Sequence, residues 1–173
     1  QSHNKLANRI VSLGNEVYVE TMNYKGLQKR SSETTINKKT GKFNKKKRFG
    51  KSLANKAPSM FLTILDNKLK WSGKNLRKID TFKIKASQYN HIKDEYIKKE
   101  LSERWNVFNI GNEEVKIQRD LYSAFIIMCT EDNLKETNRK LCNKEFKNFK
   151  KLHNVEIIRI KNSNNRLISS MGM

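Results

Sequence analysis

The chain has 173 residues, which suits one domain with a proper core, or one domain carrying a small insertion, and argues against two independent domains. Its 37 Lys and Arg against 17 Asp and Glu give a formal net charge of +20, which calls for a polyanionic partner, with nucleic acid the first candidate. A basic chain can lie on an anionic membrane, but that needs an amphipathic basic helix or a lipid anchor, and no apolar run approaches the roughly 20 residues of a membrane span, so a membrane is not expected as a partner. Cys129 and Cys142 are too few and too far apart for a disulfide framework or a CxxC knuckle, and read as small core residues in a reducing compartment. There is no charged-then-apolar signal segment, so the expected location is cytoplasmic and, given the charge, nucleoid-associated. Opening on Gln1 rather than Met, the sequence suggests a chain cut from something longer.

In chain order, Leu6, Ile10 and Leu13 share one helical face with Ala7 beside them, and Gly14-Asn15 reads as a left-handed helix stop. Val17 and Val19 then alternate with Tyr18 as a strand, and Glu20 falls where the apolar run ends, placing a carboxylate at the strand's mouth. Asn23 and Gly26 permit a turn, and Lys25, Lys29 and Arg30 bring positive charge close to that carboxylate. By itself the stretch favours the simpler reading, a solvated glutamate at a strand terminus. From Gln28 to Leu53 lysines recur, among them Lys45, Lys46, Lys47 and Arg48, with only Ile36, Phe43 and Phe49 as apolar contacts, too few to bury a core. Two compatible readings stand: a disordered loop, or an arm that orders on a phosphate backbone while Phe43 and Phe49 stack on bases.

Pro58 suits a first helical turn, and Phe61, Leu62, Ile64, Leu65 and Leu69 follow at spacings of three and four up to Trp71, with Gly73 as the stop. Asn75 to Phe82 is expected as a strand with imperfect alternation. Residues 86–116 are polar and irregular, and read as an insertion. Val115 and Ile117 make a short strand, after which Leu121, Ala124, Phe125 and Met128 form a helical stripe and Asp120 stands at the helix start, where capping alone would explain it. A last helix is expected over 133–152, an edge strand over 155–160 and a frayed tail beyond.

The residues around the two carboxylates carry a resemblance. Val17-Tyr18-Val19-Glu20-Thr21-Met22-Asn23-Tyr24-Lys25-Gly26-Leu27 resembles the second RuvC-type motif of the transposon-encoded TnpB (OrfB) family, relatives of the type V CRISPR nucleases, in which a strand ends in Glu before Asn and a Lys-Gly pair. Arg119-Asp120-Leu121-Tyr122-Ser123-Ala124 resembles the third motif, with Tyr122 where Asn is usual. The stretch from Pro58 to Ser87 resembles the family's bridging helix, strand and Ser-Gln, and Leu101-Ser102-Glu103-Arg104-Trp105 matches a run in its inserted domain.

The resemblance implies an α/β chain, a partial RNase H-like (RuvC-type) domain with a small polar insertion. Residues 1–85 would hold the core with the second motif, 86–116 a degenerate zinc-ribbon position, 117–160 the third motif and C-terminal helices, and 161–173 a flexible tail. It implies a transposase-type, RNA-guided DNA endonuclease whose complete site holds two Mg²⁺ ions about 4 Å apart for in-line phosphodiester hydrolysis, with Glu20 and Asp120 as ligands. DNA and a guide RNA are the implied partners, contacted by Lys25, Lys29, Arg30, Lys45, Lys46, Lys47, Arg48 and Arg104. The family's zinc thiolates correspond here to Asn90, Lys93, Val107 and Ile110, and His91 with His153 makes no four-ligand set, so zinc is not expected. The family's first motif supplies an Asp from a strand upstream of Gln1, so this polypeptide alone is expected not to cleave. The alternative is a truncated or nuclease-dead protein that still binds nucleic acid.

Overall fold

Ala7, Leu65 and Leu69 are the buried centre of the first of two compact units, formed by Gln1–Val17 and Thr21–Arg77. The computed structural model describes residues 1–29, 33–44, 49–100, 102–163 and 171–173, with Phe49 placed by its backbone only. Helix α1 (Ser2–Val11) packs on α4 (Pro58–Trp71), reached through strand β1 (Glu16–Glu20) and helices α2 (Tyr24–Gln28) and α3 (Phe49–Lys56). Alanine at position 7 lets the helices approach closely, while Ile10, Val11, Val17, Phe61, Ile64 and Leu76 flank the contact. As expected, α4 starts at Pro58 and is followed by Gly73 at φ +66°, where a left-handed backbone suits glycine. Strand β2 (Asn75–Ile79) is hydrogen-bonded to β1.

Several expectations for the first 85 residues are corrected. Gly14 is not left-handed: α1 ends on ordinary backbone bonds, Ser12 N–H to Asn8 and Leu13 N–H to Ile10, with the Ser12 hydroxyl on Arg9 O at 2.7 Å. The turn at Asn23 and Gly26 is the start of α2, where the Asn23 side chain caps by accepting the Gly26 N–H at 2.9 Å. The expected strand to Phe82 stops at Ile79, because the Asp80 carboxylate accepts the Phe82 and Lys83 N–H groups and caps helix α5 (Thr81–Ile84). Within the basic stretch, an isolated bridge joins Ile36 to Phe43 around a turn at Asn37 and Gly41, leaving both side chains exposed, and α3 was not foreseen at all.

The second unit comprises Tyr18–Glu20 and Lys78–Met173. After α5 come strand β3 (Tyr89–Asn90), paired antiparallel with β4 (Glu95–Tyr96), and β5 (Trp105–Ile110), paired antiparallel with β6 (Glu113–Gln118) in a register running from Trp105 opposite Gln118 to Ile110 opposite Glu113. Helices α6 (Arg119–Met128) and α7 (Arg139–Lys161) complete it. Alternation directs Asn106, Phe108, Val115 and Ile117 inward, where they meet Tyr122, Phe125, Ile126, Cys129, Cys142 and Phe146. Among the described residues, helices are thus mixed with three two-stranded sheets in a broadly α/β chain.

Here too the sequence misled in places. Within residues 86–116, the stretch expected as a polar insertion, Tyr89, His91, Asn106, Phe108 and Val115 are buried. The buried stripe of α6 is Tyr122, Phe125 and Ile126, continued by Cys129 at its C-cap, whereas Ala124 and Met128 face outward. The edge strand over 155–160 is helix: α7 starts at Arg139, capped by Asn138, and its buried Cys142, Phe146, His153 and Ile157 keep helical spacing through that run. Of the tail expected to be frayed, residues 164–170 lie outside the described residues, and Gly172 O accepts from Trp105 Nε1 at 3.2 Å.

Candidate active site

Glu20 is the final residue of β1 and is half-buried, while Tyr18 of the same strand packs against the core of the second unit. Its position at a strand end is therefore as the alternation of Val17 and Val19 indicated. Asp120 lies in the first turn of α6, and Glu20 and Asp120 belong to the same compact unit although far apart in sequence.

Asp120 does not cap its helix. The cap is Gln118, whose Oε1 accepts the Asp120 N–H at 2.7 Å and the Leu121 N–H at 2.9 Å. The Asp120 carboxylate is left 54% exposed, receives Gln118 Nε2 on Oδ2 at 3.2 Å and has Arg119 Nε 3.9 Å from Oδ1. Arg119 is itself largely buried and fixed, its guanidinium donating to Glu100 O at 3.2 Å and its N–H to Arg104 O at 2.9 Å. The first turn of a helix favours negative charge, and the Asp120 carboxylate there is turned to solvent, an oxygen donor of the kind a hard cation takes.

The expected nucleic-acid contacts are placed unevenly. Lys25 in α2 and Lys29 just after it are exposed in the first unit, whereas Arg104 is half-buried in the second. Arg30, Lys45, Lys46, Lys47 and Arg48 lie outside the described residues.

Of the four positions equated with zinc thiolates, Asn90, Lys93 and Val107 line one cleft of about 330 Å³ with Lys99, Glu103 and Trp105, and Ile110 does not. Asn90 Oδ1 accepts the N–H groups of Ile92 and Lys93, a loop-holding role. Lys99 Nζ bonds Asn106 Oδ1, and burial, with Arg119 adding to it, lowers the lysine's pKa against the opposing effect of Glu103. Among the described residues no group of three or more His, Cys, Asp or Glu gathers closely enough to hold a metal ion.

Both buried histidines have other duties. His91 Nδ1 is 2.7 Å from the Tyr122 hydroxyl, and burial, with Arg139 nearby, lowers its pKa to about 4. His153 Nε2 accepts the Gln118 N–H at 3.0 Å. Cys129 and Cys142 are fully buried, and the hydrogen bond between their thiols, together with burial, pushes Cys129 up. Gln118 went unnoticed in the sequence because glutamine is not a favoured cap, and nothing local announces a partner at position 153. The chain matches no protein-family model, no curated protein and no solved structure.

Proposed function

We propose that the chain is the C-terminal RuvC-type part of a TnpB-like, transposon-encoded, RNA-guided DNA endonuclease, with an RNase H-like fold in the complete protein and Glu20 and Asp120 among its catalytic carboxylates. One observation carries the proposal: Glu20 ends a strand, Asp120 opens a helix, and the two fall in one compact unit. A second feature supports the family resemblance, since Asn90, Lys93 and Val107, aligned with ligands of one metal, converge on one cleft.

Carboxylate oxygens are the donors a hard cation takes, so Glu20 and Asp120 would hold Mg²⁺, which when bound supplies charge stabilisation for phosphodiester hydrolysis. Among the described residues no group of three or more His, Cys, Asp or Glu gathers closely enough to hold a metal ion, so these two carboxylates would need further ligands beside them. What the chain itself contributes is a solvent-facing Asp120 carboxylate on a fixed helix start, and Lys and Arg charge for DNA and guide RNA in the nucleoid. In the second reading the protein binds nucleic acid without cutting. The engagement of Tyr122 in the core, at the position where the family has Asn, favours it.

The test compares this polypeptide with one extended upstream through an Asp-bearing strand and given its RNA. The extended protein should nick DNA with Mg²⁺ and lose that activity on Glu20→Ala or Asp120→Ala, while the 173-residue chain shifts DNA or RNA in a gel without nicking. Undiminished cleavage by the Asp120→Ala protein overturns the catalytic assignment; an extended protein that binds but never cleaves leaves the binding-only reading.

A further inference from the structure

We infer that Gln118, held in place by His153, is a positioning residue that fixes the Asp120 carboxylate, and that His153 does so as the neutral tautomer protonated on Nδ1. The inference rests on the proposed functional role of Asp120.

A fully buried primary amide must satisfy its oxygen and both N–H groups, since each one left unpaired costs on the order of 1–3 kcal/mol. Gln118 is 0% exposed, and its side chain meets that demand completely. Oε1 accepts from Asp120 N and Leu121 N at 2.7 and 2.9 Å, and Nε2 donates to Asp120 Oδ2 at 3.2 Å and to Met171 O at 3.4 Å. Rotating the amide by half a turn would set an NH₂ against two N–H donors, so the hydrogen-bond network itself fixes the orientation.

The usual caps, Ser, Thr, Asp and Asn, satisfy helix N–H groups with an oxygen. Glutamine adds a donor, which here reaches the carboxylate two residues on. A cap alone has no need of that second arm. Donation to Oδ2 holds one carboxylate oxygen in place, while Oδ1 stays on the side of Arg119.

His153 secures the base of this arrangement. A backbone N–H can only donate, so the 3.0 Å contact between Gln118 N and His153 Nε2 requires a lone pair on Nε2. The proton of the neutral ring then sits on Nδ1, 2.9 Å from Asn154 Oδ1, which accepts it. Trp105, edge-on with its centroid at 6.3 Å, and Phe149 at 5.9 Å wedge the imidazole from either element.

The ¹⁵N- and ¹³C-labelled 173-residue chain tests this directly by NMR. In the parent, His153 should show the Nδ1–H tautomer and Asp120 should show Hα–Hβ couplings of a single rotamer. Gln118→Glu keeps the accepting oxygen but removes the donor, so the Asp120 and Leu121 amides should remain protected while the Asp120 couplings lose their single-rotamer values. Gln118→Leu should lose both, with exchange of those amides faster by roughly tenfold. Should the glutamate variant not fold, Gln118→Asn, a good cap too short to serve both the helix and the carboxylate, gives the same comparison. An Nε2–H tautomer at His153, or Asp120 couplings unchanged in the donor-less variants, overturns the inference. None of these readouts involves cleavage, so a complete protein indifferent to Asp120→Ala sinks the nuclease proposal without touching the positioning result.

Discussion

The Tyr122 hydroxyl lies 2.7 Å from Nδ1 of His91 and accepts the His91 backbone N–H at 3.2 Å, within a core where both residues are almost wholly buried. One phenol oxygen therefore satisfies two polar groups of a residue distant in sequence. Tyr122→Phe removes that oxygen without creating a large cavity and strands a buried N–H. The expected loss is about 1–3 kcal/mol, read as a lower urea midpoint with an unchanged denaturant slope. A variant as stable as the parent would mean that the hydroxyl is not needed there.

Stability should also fall in mild acid through His91. Its pKa lies at about 4 in the folded chain against an ordinary value of 6.5, with burial the main cause and the Arg139 charge the second. Between those values the unfolded imidazole binds more protons than the folded one, so stability is full above about pH 6.5, declines as pH falls toward 4, and loses nothing further from this group below that. The loss is at most about 3 kcal/mol. His91→Gln should flatten the stability profile across that window, and a slope that persists unchanged would assign it to other groups.

Two backbone positions in the first unit should respond in opposite directions. A Cβ on Gly50 would lie 2.7 Å from Gln28 O, a backbone atom that cannot step aside, so Gly50→Ala should destabilise by about 1–3 kcal/mol. Ala57, between α3 and α4, holds φ +42°, a conformation that costs a residue with a Cβ on the order of 1 kcal/mol. Ala57→Gly should therefore raise the thermal midpoint while Gly50→Ala lowers it. The same sign for both would contradict one of these backbone arguments.

Nucleic-acid binding should be strongly salt-dependent and largely blind to sequence, since it rests on a net charge of +20 rather than on a base-reading element. Neutralising Lys45, Lys46, Lys47 and Arg48 together should flatten the plot of log affinity against log salt by roughly 0.7–0.9 for each phosphate that the variant no longer neutralises. If the slope does not change, the basic run does not engage the phosphate backbone.

Where structure is decided by neighbouring residues, the sequence determined it. Pro58 and Gly73 bracket α4, and the apolar spacing between them is a property of that segment alone. Val17 and Val19 likewise located the strand that ends at Glu20, and Asp120 was placed at a helix start from its immediate surroundings. Residues 155–160 show the opposite case: a Val and three Ile within six residues suit a strand, yet the helix is held because Phe146, His153 and Ile157 find burial along one face of α7. The stripe of α6 differs from its sequence pattern because Tyr122 buries an aromatic ring whose hydroxyl is hydrogen-bonded to His91, distant in sequence. Gln118 is the clearest instance, since its partners lie at 120, 121, 153 and 171, and a buried amide becomes tolerable only when the fold has brought such groups to it.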